Sequence, residues 1–231
     1  MALTHEQIEE LRGIDTPTIL NAIEKFDVQP KTLGFTGTVI RNLAPELGVM
    51  IGYAVTALGD TMSEAAPKDA SGMFQMWEAI EATPNPVVLV IKDFSDDPTH
   101  SVQAGDGMAT LAKVLGADGM VTDGALRDPI GIKEVGVKMF ARGLAPSHAN
   151  NRIVSAQIPV TIDGMDVNPG DLIHGDENGL CTIPLEIADQ VAVVAKQIWE
   201  AEEKTRQDYL KPDFSLDDYA KARGITRRPP S

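Results

Sequence analysis

Apolar positions along this chain follow two different periods, and the changes between them mark out its elements. "THEQIEELRG" (4–13) has helical spacing, with Thr4 and Gln7 at capping-box distance and Gly13 as the stop. "DTPTILNAIEKF" (15–26) predicts a second helix that places Ile19, Ala22, Ile23 and Phe26 on one face, with Thr16 as N-cap and Pro17 at the first helical position. The period then shortens. "GTVIRNL" (37–43) and "VMIGYAVTALGD" (49–60) are β-branched runs closed by polar residues or glycine, so both predict strands. "ASGMFQMWEAIEA" (70–82) returns to helical spacing, and its Met and Trp stripe suits a core face. From 86 to 143 the pattern alternates. "NPVVLVIKD" is a continuous apolar run expected of a strand buried on both faces, and "GDGMATLAKVLG" a helix with Met108, Leu111, Ala112 and Leu115 inward. "ADGMVTDG", "DPIGIKEVG" and "VKMFARG" then read as strand, short helix and strand. That β-α-β-α-β run predicts an α/β fold with a parallel segment. Beyond it, residues 158–184 are short strands punctuated by Pro159, Pro169 and Pro184, with hairpin turns expected at Asp163-Gly164 and Asn178-Gly179. One long helix follows over 184–210, and then a polar tail.

Composition narrows the function. The 231 residues carry a formal charge of −14, which disfavours nucleic acid as a ligand because phosphate contacts need basic surface. An acidic chain that handles an anionic substrate must gather positive charge locally or recruit a metal. The single cysteine, Cys181, allows no intrachain disulfide and no cysteine-rich zinc site, and "GLCTIP" suits a small buried hydrophobe. No apolar stretch approaches the roughly 20 residues that span a bilayer, and "MALTHEQIEELRG" lacks the layout of a signal peptide. The expectation is a cytoplasmic protein with no membrane partner.

The residues richest in chemistry fall in one βαβ unit, 105–128. Gly105, Asp106, Gly107 and Met108 open a helix, and Arg127 and Asp128 follow the next strand. Both segments leave the carboxyl ends of strands, where open α/β sheets bind ligands. N–H groups at a helix start attract anions, and the glycines admit close approach. Arg127 offers a planar fork for a carboxylate or enolate oxygen, and Asp106 and Asp128 offer hard oxygens to a cation such as Mg²⁺. The same residues suit a blander arrangement, with Asp106 as a helix N-cap and Asp128 capping the helix that starts at Pro129.

The unit also resembles the signature of the RraA-like family, which includes the 4-hydroxy-4-methyl-2-oxoglutarate / 4-carboxy-4-hydroxy-2-oxoadipate aldolases. Ala109, Gly116, Gly119, Val121, Asp123, Gly124, Arg127 and Asp128 fit its pattern, and Asp106 precedes the Arg-Asp pair at the catalytic spacing. "DTPTILNAI", "MFARG" and "VNPGDLIHGDENGLCTIP" extend the resemblance over most of 15–210. What it implies is a single α/β domain of the swivelling β/β/α three-layer type, with its core at about 15–210, a long C-terminal helix and an extension over 211–231. It implies a lyase that cleaves 4-hydroxy-2-oxo acids to pyruvate plus an oxo acid, with oxaloacetate decarboxylation at the same site. Asp128 would bind Mg²⁺ or Mn²⁺, and Asp106 a water on that metal. Arg127 would hold the pyruvate moiety and its enolate. The loop Gly105, Asp106, Gly107, Met108 would take the substrate carboxylate. A glutamate from the C-terminal helix of an adjacent subunit would complete the site, with Glu203 chosen over Glu200 and Glu202. The expected assembly is a homotrimer, or a homohexamer of two stacked trimers.

Two alternatives stand beside the aldolase: a non-catalytic binding protein like the family's regulators of ribonuclease E, which lack the full acidic motif, and an enzyme of the same fold acting on another oxo acid. His5, His100, His148 and His174 have no metal-ligand spacing, though His148 and His174 are expected in loops within reach of a site. Lys113 and Lys133 read as exposed helix positions, so no Schiff-base lysine is indicated. "GDGMAT" is not a dinucleotide-binding G-x-G-x-x-G, and no P-loop is present.

Overall fold

The computed structural model describes residues 2–64 and 70–226. Its helices are α1 (His5–Arg12), α2 (Thr16–Ile23), α3 (Ser71–Ala82), α4 (Asp106–Val114), α5 (Pro129–Glu134), α6 (Ala188–Tyr209) and α7 (Leu216–Ala222). The first strands are β1 (Arg41–Asn42), β2 (Met50–Asp60), β3 (Val87–Asp93), β4 (Val102–Ala104), β5 (Ala117–Thr122), β6 (Ala125–Leu126), β7 (Lys138–Ala141) and β8 (Gly143–Leu144). Then come β9 (Arg152–Ala156), β10 (Val160–Ile162), β11 (Met165–Val167), β12 (Leu172–Asp176) and β13 (Gly179–Ile183).

The main sheet runs β1-β7-β5-β3-β2-β12-β13. Strands β2, β3, β5 and β7 are mutually parallel, with Val55 opposite Leu89, Leu89 opposite Met120 and Met120 opposite Met139. The length of β2 lets one edge serve two antiparallel neighbours, β12 along Met50–Tyr53 and β9 along Ala57–Asp60. Both faces of the sheet are covered, which is why its strands read as unbroken apolar runs. Val55, Ala57, Leu89, Ile91 and Met120 face Met76 and Ile80 of α3, Ala109 and Ala112 of α4 and Ile132 of α5. Ala54, Val88, Val90, Val121 and Phe140 face Val160, Ile162, Met165 and Val167 of the β10–β11 hairpin. Hairpin, sheet and helices thus form the β/β/α layers, and α1, α2 and α6 close a third cluster over β12 and β13.

Several boundaries differ from expectation for physical reasons. Asp15, not Thr16, is the N-cap of α2: its Oδ1 accepts from the Thr18 N–H at 2.9 Å. Thr16 is thus the first helical residue, and its hydroxyl turns instead to His174 Nδ1 at 3.0 Å. On α4, Met108, Ala112 and Leu115 pack inward as expected, but Leu111 is exposed and Ala109 takes its place. The β12–β13 turn is Glu177-Asn178, since Asp176 pairs with Gly179, whereas Asp163-Gly164 takes the expected turn with both φ angles positive. The long helix starts at Ala188 rather than Pro184. His174 lies in no loop but inside β12, wholly buried. His148 and His100 are exposed, and His100 pairs with Asp97. Cys181 is buried, and burial pushes its thiol up out of reactive range. The tail contains α7, folded back on the end of α6 so that Phe214 meets Tyr209 edge-on and Arg223 lies 4.2 Å from the centre of the Tyr219 ring. Residues 227–231 of the expected extension lie outside the described residues.

Periodicity missed β9, α7 and a second, small parallel sheet, β4-β6-β8. Each of its strands follows a parallel strand of the main sheet, β4 after β3, β6 after β5 and β8 after β7. Two- and three-residue strands carry no readable period, so only their pairing reveals them.

Candidate active site

At the carboxyl ends of the parallel strands stand three aspartates, Asp60, Asp93 and Asp123, all buried. Asp60 pairs with Arg152 and accepts the N–H groups of Met62 and Ser63, each at 3.1 Å. Burial works against its charge, yet Ser63, Arg152 and Met62 hold its carboxyl below the ordinary range. Asp123 pairs with Lys92 and accepts the Asp93 N–H at 2.8 Å, which ties β3 to the end of β5. These are contacts of the floor. The sequence signal for them was an aspartate ending each strand, and it was not read as a set.

On this floor the small sheet carries the two loops singled out in the sequence. Gly105, the last residue before α4, is the N-cap of that helix and has extended backbone, φ −138°. The first helical hydrogen bond comes from the Ala109 N–H to Gly105 O at 3.0 Å. The Gly107 N–H turns to Asp106 Oδ1 at 2.7 Å, and the N–H groups of Asp106 and Met108 take no partner among the described residues. This is the open donor set of a helix start, with the macrodipole behind it. Arg127 hangs from the same strand, its N–H bonded to Ala104 O at 3.0 Å. Its Nε lies 3.2 Å from Asp128 Oδ2, and both side chains keep over a third of their surface accessible.

The blander readings of these residues fail on geometry. Asp106 is the first residue of α4 and not its cap. Asp128 occupies the N-cap position of α5, but its side chain caps nothing and turns to Arg127 instead. Its backbone is left-handed, φ 56° and ψ 47°, a conformation that aspartate tolerates better than most residues with a side chain.

Glycines make the convergence possible. A Cβ on Gly105 would lie 2.7 Å from Asp128 Oδ2 and 2.9 Å from Arg127 Cγ and Nε. A Cβ on Gly131 would lie 2.8 Å from Asp106 Cβ, so α5 packs directly against the first turn of α4. Gly105, Asp106, Gly107, Met108, Arg127 and Asp128 therefore form one surface. Gly105→Ala is expected to displace the Arg-Asp pair by several tenths of an ångström without backbone strain. Activity should fall about 10- to 100-fold, as small misplacements do, with melting changed by only a few degrees; kinetics beside a thermal melt checks this, and unchanged kinetics would contradict it.

Glu203 is not on that surface within one chain. It binds Arg206 and accepts from Gln207 Nε2 at 2.6 Å, and it lines a hollow of about 510 Å³ with Asp15, Thr18, Trp199 and Glu202. Lys113 is exposed and Lys133 pairs with Glu46, so neither is a nucleophile in this site.

A metal can be tested against the donors. Among the described residues no three His, Cys, Asp or Glu side chains gather into a closed cage. Asp106 and Asp128 are, however, accessible hard-oxygen donors on one small surface. That set fits a cation such as Mg²⁺, which keeps most of its waters and takes one or two carboxylates. It does not fit a structural zinc site.

Fold and candidate site together define the class: an α/β protein in which two loops meet at the carboxyl ends of a parallel sheet. The chain belongs to the RraA-like family, since residues 16–182 match the family model described as Aldolase/RraA. A Halalkalibacterium halodurans protein, provisionally named a 4-hydroxy-4-methyl-2-oxoglutarate aldolase, is 34% identical over 128 residues, 55% of this chain and 59% of that one. An uncharacterized protein of Methanocaldococcus jannaschii is 37% identical over 126 residues, 53% of this chain and 60% of its own length. The chain thus spans about three fifths of the length of these relatives. An uncharacterized Pseudomonas syringae protein has the same fold, with TM-score 0.71, 22% identity and coverage of 96% of both chains. Streptomyces coelicolor RraAS2, described as an unusual member of the RNase ES inhibitor RraA protein family, matches with TM-score 0.69 and 21% identity over 89% of this chain and 98% of its own. No helix among the described residues is long and apolar enough to cross a membrane.

Proposed function

We propose that the protein is a pyruvate-forming lyase that cleaves 4-hydroxy-2-oxo di- or tricarboxylic acids and also decarboxylates oxaloacetate. The observation that carries this reading is the contact of Arg127 and Asp128 with Gly105 at the open start of α4. The substrate C1 carboxylate is received at the Gly105–Met108 turn by the open N–H groups of Asp106 and Met108. Arg127 lies beside it and takes the C2 oxygen, where negative charge grows as the C3–C4 bond breaks. The C4 hydroxyl proton passes to a water oriented by Asp106, the C4 carbon leaves as a carbonyl, and C3 of the enolate is reprotonated to give pyruvate. In oxaloacetate the bond to C4 breaks with loss of carbon dioxide and leaves the same enolate. Asp128, with Asp106 through water, would hold Mg²⁺ or Mn²⁺, which when bound supplies a Lewis acid for the 2-oxo oxygen. Glu203 would enter from a neighbouring copy in a homotrimer or homohexamer, since within its own chain it lines the hollow beside Asp15 and Trp199.

The test is pyruvate release, coupled to lactate dehydrogenase, from 4-hydroxy-4-methyl-2-oxoglutarate and from oxaloacetate. Turnover of both is expected with Mg²⁺, loss of at least about 100-fold with EDTA, and recovery with added Mn²⁺. No release from either substrate, with metal supplied to folded protein, would overturn the reading and favour a binding protein.

A further inference from the structure

Beneath the loop pair runs a chain of buried polar side chains that the proposed chemistry does not use. Asp93, at the end of β3, accepts from Ser101 Oγ at 2.6 Å and Gln103 Nε2 at 2.9 Å on Oδ1, and from Ser95 Oγ at 2.7 Å on Oδ2. Ser101 Oγ also meets Thr61 Oγ1 at 2.7 Å. Thr61, Ser101 and Gln103 are completely buried and Asp93 is 5% exposed. Burying this many polar groups is costly unless they specify a geometry.

The geometry in question is that of β4. This strand has three residues and pairs only with β6, which has two. So short a ladder cannot hold its own register. Its pairing shifts register between Val102 and Ala104, which turns Gln103 inward. There the Gln103 side chain is keyed between two glycines. A Cβ on Gly59 would lie 1.9 Å from Gln103 Oε1, and one on Gly124 would lie 3.2 Å from Gln103 Cγ. Oε1 itself has no hydrogen-bond partner among the described residues, so the amide is held by its Nε2 bonds and by fit. Two residues further on, Gly105 starts the carboxylate-receiving turn. The Ala125 and Arg127 N–H groups bond to Ser101 O at 2.7 Å and Ala104 O at 3.0 Å.

We infer that Asp93 and Gln103 are positioning residues: their buried hydrogen bond clamps β4 and thereby sets the Gly105–Met108 turn for the substrate carboxylate. This rests on reading that turn as the substrate site. Because the turn grips the carboxylate in ground state and transition state alike, loosening it weakens binding more than it slows chemistry. Gln103→Met keeps the volume and removes the amide. It is expected to raise KM for oxaloacetate about 10-fold and change kcat less than about threefold. Amide exchange at Ala125 and Arg127, which hang from Ser101 beside β4 and from Ala104 within it, should quicken about 10-fold. Thr61→Val is the control, since it removes a hydroxyl from the same network and leaves the Asp93–Gln103 bond. It should lower the melting temperature yet leave KM and those two amides within about twofold of wild type.

The clamp is overturned if Gln103→Met leaves exchange at Ala125 and Arg127 unchanged, or if Thr61→Val raises KM as much as Gln103→Met does. The exchange arm needs no turnover. A wild-type protein that releases no pyruvate would therefore remove the aldolase reading, while the amides would still decide whether Gln103 holds β4.

Discussion

Arg127→Ala cuts pyruvate release by about 10²- to 10³-fold, or roughly 3–4 kcal/mol of transition-state stabilisation, the usual loss when a preorganised donor to a developing oxyanion is removed. The side chain is over a third exposed, and it pairs with Asp128 at 3.2 Å. Its removal therefore costs little stability, within about 1 kcal/mol for so exposed a pair, and the melting temperature should barely move. The loss should appear in kcat, because the C2 oxygen carries full negative charge only as the carbon–carbon bond breaks. Arg127→Lys keeps the charge but loses the planar fork, so it should recover only part of the rate. Asp128→Asn is the companion variant. Asn tolerates the left-handed backbone at φ 56°, so a loss of activity there reads the carboxylate and not the turn. Steady-state kinetics with a thermal melt decides the matter: an Arg127→Ala protein that keeps most of its activity removes this arginine from the mechanism.

Mild acid should weaken the fold well before its carboxylates protonate. His174 is completely buried in β12. Its Nε2 lies 3.1 Å from Leu11 O, which can only accept, so the proton sits on Nε2 and Nδ1 accepts from the Thr16 hydroxyl at 3.0 Å. Burial pushes the pKa down from 6.5 to about 4, against smaller upward pulls that include Leu11, Asp176 and Asp15. The unfolded chain therefore takes up a proton near pH 6.5 that the folded chain refuses until about pH 4. Stability from the neutral histidine is complete above pH 6.5 and is lost as the pH falls through that window. The loss is about 2 kcal/mol by pH 5 and about 3 kcal/mol by pH 4, at 1.36 kcal/mol per unit. Asp15, Asp60 and Asp118 are held below their ordinary range and add losses only at still lower pH. Urea unfolding at pH 7.5 and pH 5 measures the difference. His174→Gln, less stable at pH 7.5, should lose the slope between those values; a wild type with equal stability at both would refute the assignment.

The failures of sequence reading share a cause with its successes. "NPVVLVIKD" was legible as a buried strand because both faces of the sheet are covered, so every position had to be apolar. Thr4 and Gln7 announced α1 because a capping box is a local contact. Asp15 and Thr16 are both good caps, and the choice fell to Asp15 because Thr16 is needed by a histidine far along the chain. His174 looked like a loop residue beside a turn, yet it lies in a strand under two helices. The Arg127-Asp128 pair was legible as a candidate, but the capping alternative for Asp106 and Asp128 could be dismissed only once the side chains were seen.

What the amino-acid sequence determined by itself was the order of the longer strands and helices, the parallel character of the central run and the short loops that hold the candidate chemistry. Those follow from period, caps and turn residues, all local in the chain. The tertiary structure alone decided that β4, β6 and β8 form a second sheet and that Gly105 touches Arg127 and Asp128. It also placed Gln103 of β4 against Gly59 of β2 and Asp93 of β3. Those contacts join segments ten or more residues apart, and their partners are chosen by packing over the floor of a common sheet, which leaves no periodic trace in the sequence.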